Sequence, residues 1–119
     1  MTTYKDAKQK TKPTTGRVTS AKQKVQRKVS NLIKNGSAFY IGKTSGPDGL
    51  KNRWNEKYKK EGMMHISPVY QTTCNEYANE IERYLIEYFK KRTECQNKVA
   101  GGGGNTNEQE QQFVYVAWK

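Results

Sequence analysis

The residues that most constrain this chain are Ala38-Phe39-Tyr40-Ile41-Gly42-Lys43-Thr44. A short apolar run, rich in aromatic and β-branched side chains and closed by glycine, reads as a buried strand. Gly42 ends it where backbone can approach a ligand closely, and Lys43 sets a cation at the exit. The rest of the chain must be arranged around this strand with little apolar material, 33% of 119 residues. That length allows one small domain.

Charge is unevenly placed. The formal net charge is +11, and residues 1–34 hold ten of the 22 Lys and Arg against one acid, Asp6. Within residues 1–18, Lys5, Lys8, Lys10, Lys12 and Arg17 are spaced by Thr, Gln, Gly and Pro13, with nothing to offset the entropy of ordering. The expectation is a disordered basic tail over 1–18 and a single domain over 19–119. A basic arm on a nearly neutral domain points to a polyanion, most commonly nucleic acid. An anionic membrane surface is the rival, weakened because the arm has no bulky apolar anchors. No apolar run is long enough to span a membrane, and the start carries no signal segment, so an intracellular, non-secreted protein is expected. Cys74 and Cys95 are too few for a disulfide scaffold or a zinc site and read as reduced thiols near the ends of one helix.

From Ser20 a helix is expected, with Ser20 and Gln23 as a capping box and Asn35-Gly36 as its stop. Val25, Val29, Leu32 and Ile33 fall on one narrow face, while Lys22, Lys24, Arg27 and Lys28 occupy the others. A β-hairpin over 29–42 around Asn35-Gly36 competes with it. After the strand 38–43, Ser45-Gly46-Pro47-Asp48-Gly49 is a turn. A second helix over 48–61 turns Leu50, Trp54 and Tyr58 inward, with Arg53 and Lys57 flanking. Residues 68–72 read as a short strand whose Pro68 suits a first residue or an edge. The third helix, 75–92, is capped by Asn75, and Ala78, Ile81, Leu85, Tyr88 and Phe89 form its buried stripe. Glu82 lies inside that stripe, whereas Glu76, Glu80, Arg83 and Glu87 face out. A carboxylate on the wrong face of a regular amphipathic helix signals a site. A glycine-rich linker, Gly101 to Gln112, then leads to Phe113-Val114-Tyr115-Val116-Ala117-Trp118, a strong strand.

The order Tyr40-Ile41-Gly42, Arg53, Glu82, Asn97 resembles the GIY-YIG nuclease family over most of residues 38–100. The resemblance implies an α/β (α+β) fold, a small three-stranded, mostly antiparallel sheet flanked by helices. It also implies a divalent-metal-dependent DNA endonuclease. In that scheme Glu82 holds one Mg²⁺ or Mn²⁺ ion, Arg53 clamps the scissile phosphate, and Tyr40 or Tyr115 is the general base. Lys43 or Lys57 assists as a cation, and Asn97 matches the family asparagine. Lys22, Lys24, Arg27 and Lys28 would hold the backbone of DNA, most naturally double-stranded.

Two departures matter. The family's first strand would fall near Val29, in the expected helix, and no tyrosine stands there. Phe113-Val114-Tyr115-Val116 resembles that missing strand, either by circular permutation, pairing beside Ala38–Gly42, or as an extra edge strand. One turn after Arg53, where the family carries histidine or tyrosine, stands Lys57, with Tyr58 beside it. His65, the one histidine, falls in the following loop, where some homing endonucleases of the family also carry one, and the resemblance makes it a candidate catalytic residue. The Lys57 departure keeps alive a catalytically inactive nucleic-acid-binding module of the same fold. A protein that only packages nucleic acid is disfavoured by the inward Glu82.

Overall fold

Phe113 to Trp118 is an uninterrupted apolar run, and such a run belongs where both faces are covered. In the computed structural model, which describes residues 2–8, 12–33, 36–97 and 110–119, it is the middle strand. The sheet has three strands, β1 (Phe39–Ser45), β2 (His65–Thr72) and β3 (Gln112–Trp118), in the order β1-β3-β2. Both ladders are antiparallel, with Gly42 opposite Tyr115 in one and Ile66 opposite Ala117 in the other. The chain's end therefore does pair beside Ala38–Gly42. Pro68 lies in edge strand β2 at a register shift before Tyr70, where a missing N–H costs least.

Among the described residues four α-helices complete the fold: α1 (Tyr4–Ala7), α2 (Val18–Leu32), α3 (Gly49–Arg53) and α4 (Asn75–Phe89). The alternation of β3 divides the core in two. Val114, Val116 and Trp118 join Val25, Val29 and Ile33 of α2 and Ile81, Leu85 and Phe89 of α4. Tyr115 and Ala117 point the other way, towards Ala7, Leu50, Trp54 and Tyr58. Residues 18–32 are helical, which removes the hairpin alternative. The helix starts before Ser20 with Arg17 as its N-cap and no side-chain cap bond, so the Ser20–Gln23 capping box is not formed. Asn35 lies outside the described residues, as do 101–109 of the expected linker.

Three further expectations are corrected. Asn75 does not cap α4; Cys74 is the N-cap, and the Asn75 side chain instead accepts from Lys43. Tyr88 is 51% exposed, and Ile86 takes its place in the buried stripe, because the sheet lies nearer the Ile81–Leu85 line. The described part of the N-terminus is also no free tail. Ala7 is fully buried, and the Trp54 indole N–H donates to the Thr2 carbonyl at 3.0 Å. Thr14 exchanges backbone bonds with Val69 and Gln71 along the outer edge of β2. An edge strand leaves unpaired N–H and C=O groups, and this strap satisfies part of them. Its polar composition hid that role because backbone bonds and one alanine do most of the work.

Candidate active site

β1 is the opposite edge strand, and its outer side is closed by side chains and by the chain after α4. Phe39 exchanges backbone bonds with Glu94 and Gln96. Beyond it, the Asn97 amide imitates a strand. Its Oδ1 accepts from the Ile41 N–H and its Nδ2 donates to the Ile41 carbonyl, each at 2.8 Å. Asn97 thus holds the strand that carries Tyr40, Gly42 and Lys43.

Beside this edge lies a cavity of about 250 Å³ lined by Tyr40, Gly42, Lys43, Arg53, Lys57, Tyr58, Glu82, Asn97 and Tyr115. These come from five separate stretches of chain. Gly42 makes the assembly possible. A Cβ built on it would stand 2.3 Å from the Tyr115 hydroxyl oxygen and 2.5 Å from its ring carbon Cζ. The Tyr115 ring therefore crosses directly over Gly42, reaching from the central strand to the β1 edge. Only a residue without a side chain allows that crossing.

The helix after the turn at Gly46 supplies the next two groups. α3 widens after Arg53 into a π-helical turn, Trp54–Tyr58, closed by the Lys59 N–H on the Trp54 carbonyl at 2.9 Å. In a turn closed i to i+5, the residue below Arg53 is the fifth along. That residue is Tyr58, whose hydroxyl lies 2.7 Å from that of Tyr115. Lys57 is displaced sideways, and its ammonium sits 4.4 Å from the centre of the Tyr40 ring, a cation–π contact. An i, i+4 reading of an ordinary helix selects Lys57 and passes over Tyr58, and no residue in 54–58 announces the wider turn.

Electrostatics divide the tyrosines. Burial pushes Tyr115 up to about 12, opposed by the hydrogen bond with Tyr58 and the nearby Arg53 charge. Burial raises Tyr58 further still, and the hydrogen bond between the two hydroxyls can be donated from either side. Tyr40 is raised by burial and by a hydrogen bond to Glu61, away from the Arg53 and Glu82 pair. Glu82 is 7% exposed, and burial raises its carboxyl against the pull of Lys43 and Arg53. Lys43 is lowered by burial and supported by Glu82. Its ammonium donates to Asn79 Oδ1 and, at 3.1 Å, to Asn75 Oδ1 of α4. Two neutral amides fix the cation without quenching its charge.

Of the residues singled out in the sequence, Tyr40, Lys43, Arg53, Lys57, Glu82, Asn97 and Tyr115 meet here. His65 does not: it begins β2, across the sheet, with its ring 5.1 Å from that of Trp118. Lys22, Lys24, Arg27 and Lys28 are also elsewhere, on α2. Glu82 is the one carboxylate lining the cavity, and among the described residues no group of three or more His, Cys, Asp and Glu is placed to hold a metal. Among the described residues no helix is long and apolar enough to cross a membrane. No protein-family model, curated protein or solved structure matches the chain.

Proposed function

We propose that this cavity is the active site of a divalent-metal-dependent DNA endonuclease of the GIY-YIG type, with its first strand supplied by the C-terminus. The observation that carries the reading is the meeting of Tyr115, Arg53, Glu82 and Lys43 around one polar cavity beside the β1 edge of the sheet. Hydrolysis of a phosphodiester needs a base for the attacking water, cations on the phosphate and help for the leaving oxygen. Tyr115 is the base favoured here, because it shares the fields of Arg53 and Glu82 while Tyr40 is tied to Glu61 and Lys57. The Tyr58 hydroxyl donates to the phenolate that forms. Arg53, exposed at the rim, offers its planar fork to two phosphate oxygens. Lys43 supplies a second, fixed charge behind them.

The donor set suits Mg²⁺ or Mn²⁺ better than zinc: a single hard carboxylate beside space for water fits an ion that keeps most of its hydration. Such an ion, bound at Glu82, would neutralise charge on the leaving oxygen. The idea of an inactive binding module drew on Lys57 standing one turn after Arg53, and with Tyr58 in that place its main support is gone.

The test is supercoiled plasmid incubated with and without Mg²⁺. The native chain should nick it only with the ion, and Glu82→Gln should stop nicking while the protein stays folded and still binds DNA. Nicking by Glu82→Gln at the native rate would overturn the assignment.

A further inference from the structure

The cations of α2 belong to a different surface. Lys24, Arg27 and Lys28, with Asn31 and Leu32, line an open groove of about 440 Å³. The Lys28 ammonium donates to the Lys12 carbonyl of the strap, so helix and strap form one basic surface, flanked by the exposed Lys8 and Lys12. α2 rests on α4 and β2, and the strap follows the outer edge of β2. The β1 cavity is at the other edge of the sheet. With strands about 4.8 Å apart, the two lie roughly 15–20 Å from one another.

The face between them carries more acid than base. The outward crest of α4 carries Glu76, Glu80 and Glu87 with one further cation, Arg83, all exposed, and Lys90 is held on Glu87 at 2.7 Å. A DNA backbone leaving the cavity meets Glu76 and Glu80 with only Arg83 to offset them, and so gains little by continuing over α4 to Lys24, Arg27 and Lys28. A lipid surface suits the groove poorly, since its one apolar side chain, Leu32, is half-buried. The exposed large apolar residues, Met64 and Tyr88, are on other elements.

We infer that this surface binds the phosphate backbone of a second duplex DNA segment, so that one molecule bridges two. The inference rests on the reading of the β1 cavity as the place where DNA is cut. Its test uses no cleavage, so failure of one reading is distinguishable from failure of the other. In EDTA, full-length protein is mixed with a bead-bound short duplex and a differently labelled free duplex. The native chain should retain the free duplex. Lys24→Gln/Arg27→Gln/Lys28→Gln should bind the beads yet retain at least tenfold less of it. The slope of log affinity against log salt should fall by roughly 0.9 for each phosphate that is no longer neutralised. A control of equal charge, Lys90→Gln/Lys91→Gln/Arg92→Gln, should keep bridging. No retention by the native chain, retention surviving in the α2 variant, or equal loss in the control would each overturn the inference. So would flotation with phosphatidylserine vesicles that the α2 variant abolishes while bridging persists.

Discussion

Replacing Gly42 by alanine is the sharpest probe of how the site is built. The new methyl carbon would stand 2.3, 2.5 and 3.0 Å from Oη, Cζ and Cε1 of Tyr115. Carbon atoms in contact prefer about 3.5–4.0 Å, so the ring must retreat by about 1 Å or more. It has nowhere easy to go: Tyr115 is 2% exposed, its ring centre is 5.7 Å from that of Tyr58, and the two hydroxyls are bonded. Overpacking of this kind costs about 1–3 kcal/mol, and a stranded buried hydroxyl about 1–3 more. Together these give a loss of about 2–6 kcal/mol, read from urea denaturation. The cause is checked by a cycle. Tyr115→Leu removes the colliding atoms, so adding Gly42→Ala to it should cost little, whereas Tyr115→Phe keeps Cζ and gives no relief. A Gly42→Ala protein within about 0.5 kcal/mol of the parent, or costs that simply add with Tyr115→Leu, would refute the crossing.

Two other outcomes follow from the same contacts. Because burial raises the Glu82 carboxyl even with Lys43 and Arg53 opposing it, the folded state holds this proton more tightly than the unfolded chain. Stability from this group is therefore lost as pH rises through its folded value. Glu82→Gln should be the more stable protein at pH 7.5, with the gain vanishing below about pH 4, where both states of the native carboxyl are protonated; urea melts at the two pH values decide it, and destabilisation at pH 7.5 would sink it. In the strap, Ala7→Asp should cost at least about 2 kcal/mol by burying a charge against Leu50 and Trp54, while Lys5→Gln should change stability by less than about 0.5 kcal/mol. Equal melting temperatures for the two variants would restore a free tail.

The parts legible in the sequence are those governed by burial periodicity. Val25 and Val29 marked α2, the inward Glu82 marked the site on α4, and the apolar end 113–118 marked a strand. What escaped was governed by backbone detail. The π-turn at 54–58 arises from one displaced hydrogen bond and swaps Tyr58 for Lys57 at the site. The strap is held by main-chain bonds to β2, which any side chains could accompany. Asn97 was legible as a site residue, but its bonds to Ile41 are to backbone, so its visible work is holding β1 in place. Gly42 was legible as a close approach, though what approaches is Tyr115 of the chain itself.

The position of β3 carries the last prediction, truncation after Asn107. Every strand pairing in the sheet runs through the chain's final seven-residue strand; β1 and β2 are neighbours of β3 and not of each other. Losing an edge strand would leave one ladder, whereas losing β3 leaves none. Its side chains also serve both cores, Val114, Val116 and Trp118 on one face and Tyr115 and Ala117 on the other. Burying each of the four large ones contributes about 1.5–3 kcal/mol, so roughly 6–12 kcal/mol goes with them. That matches the whole stability of a typical small domain, about 5–15 kcal/mol. The truncated chain should thus show no cooperative urea transition and an expanded radius on gel filtration. A synthetic peptide covering 108–119, added in excess, should restore both, since the gap it must fill is a slot with hydrogen-bonding strands on either side. A cooperative transition in the truncated chain alone would mean that β1 and β2 close on each other, and that the central strand is dispensable to the fold.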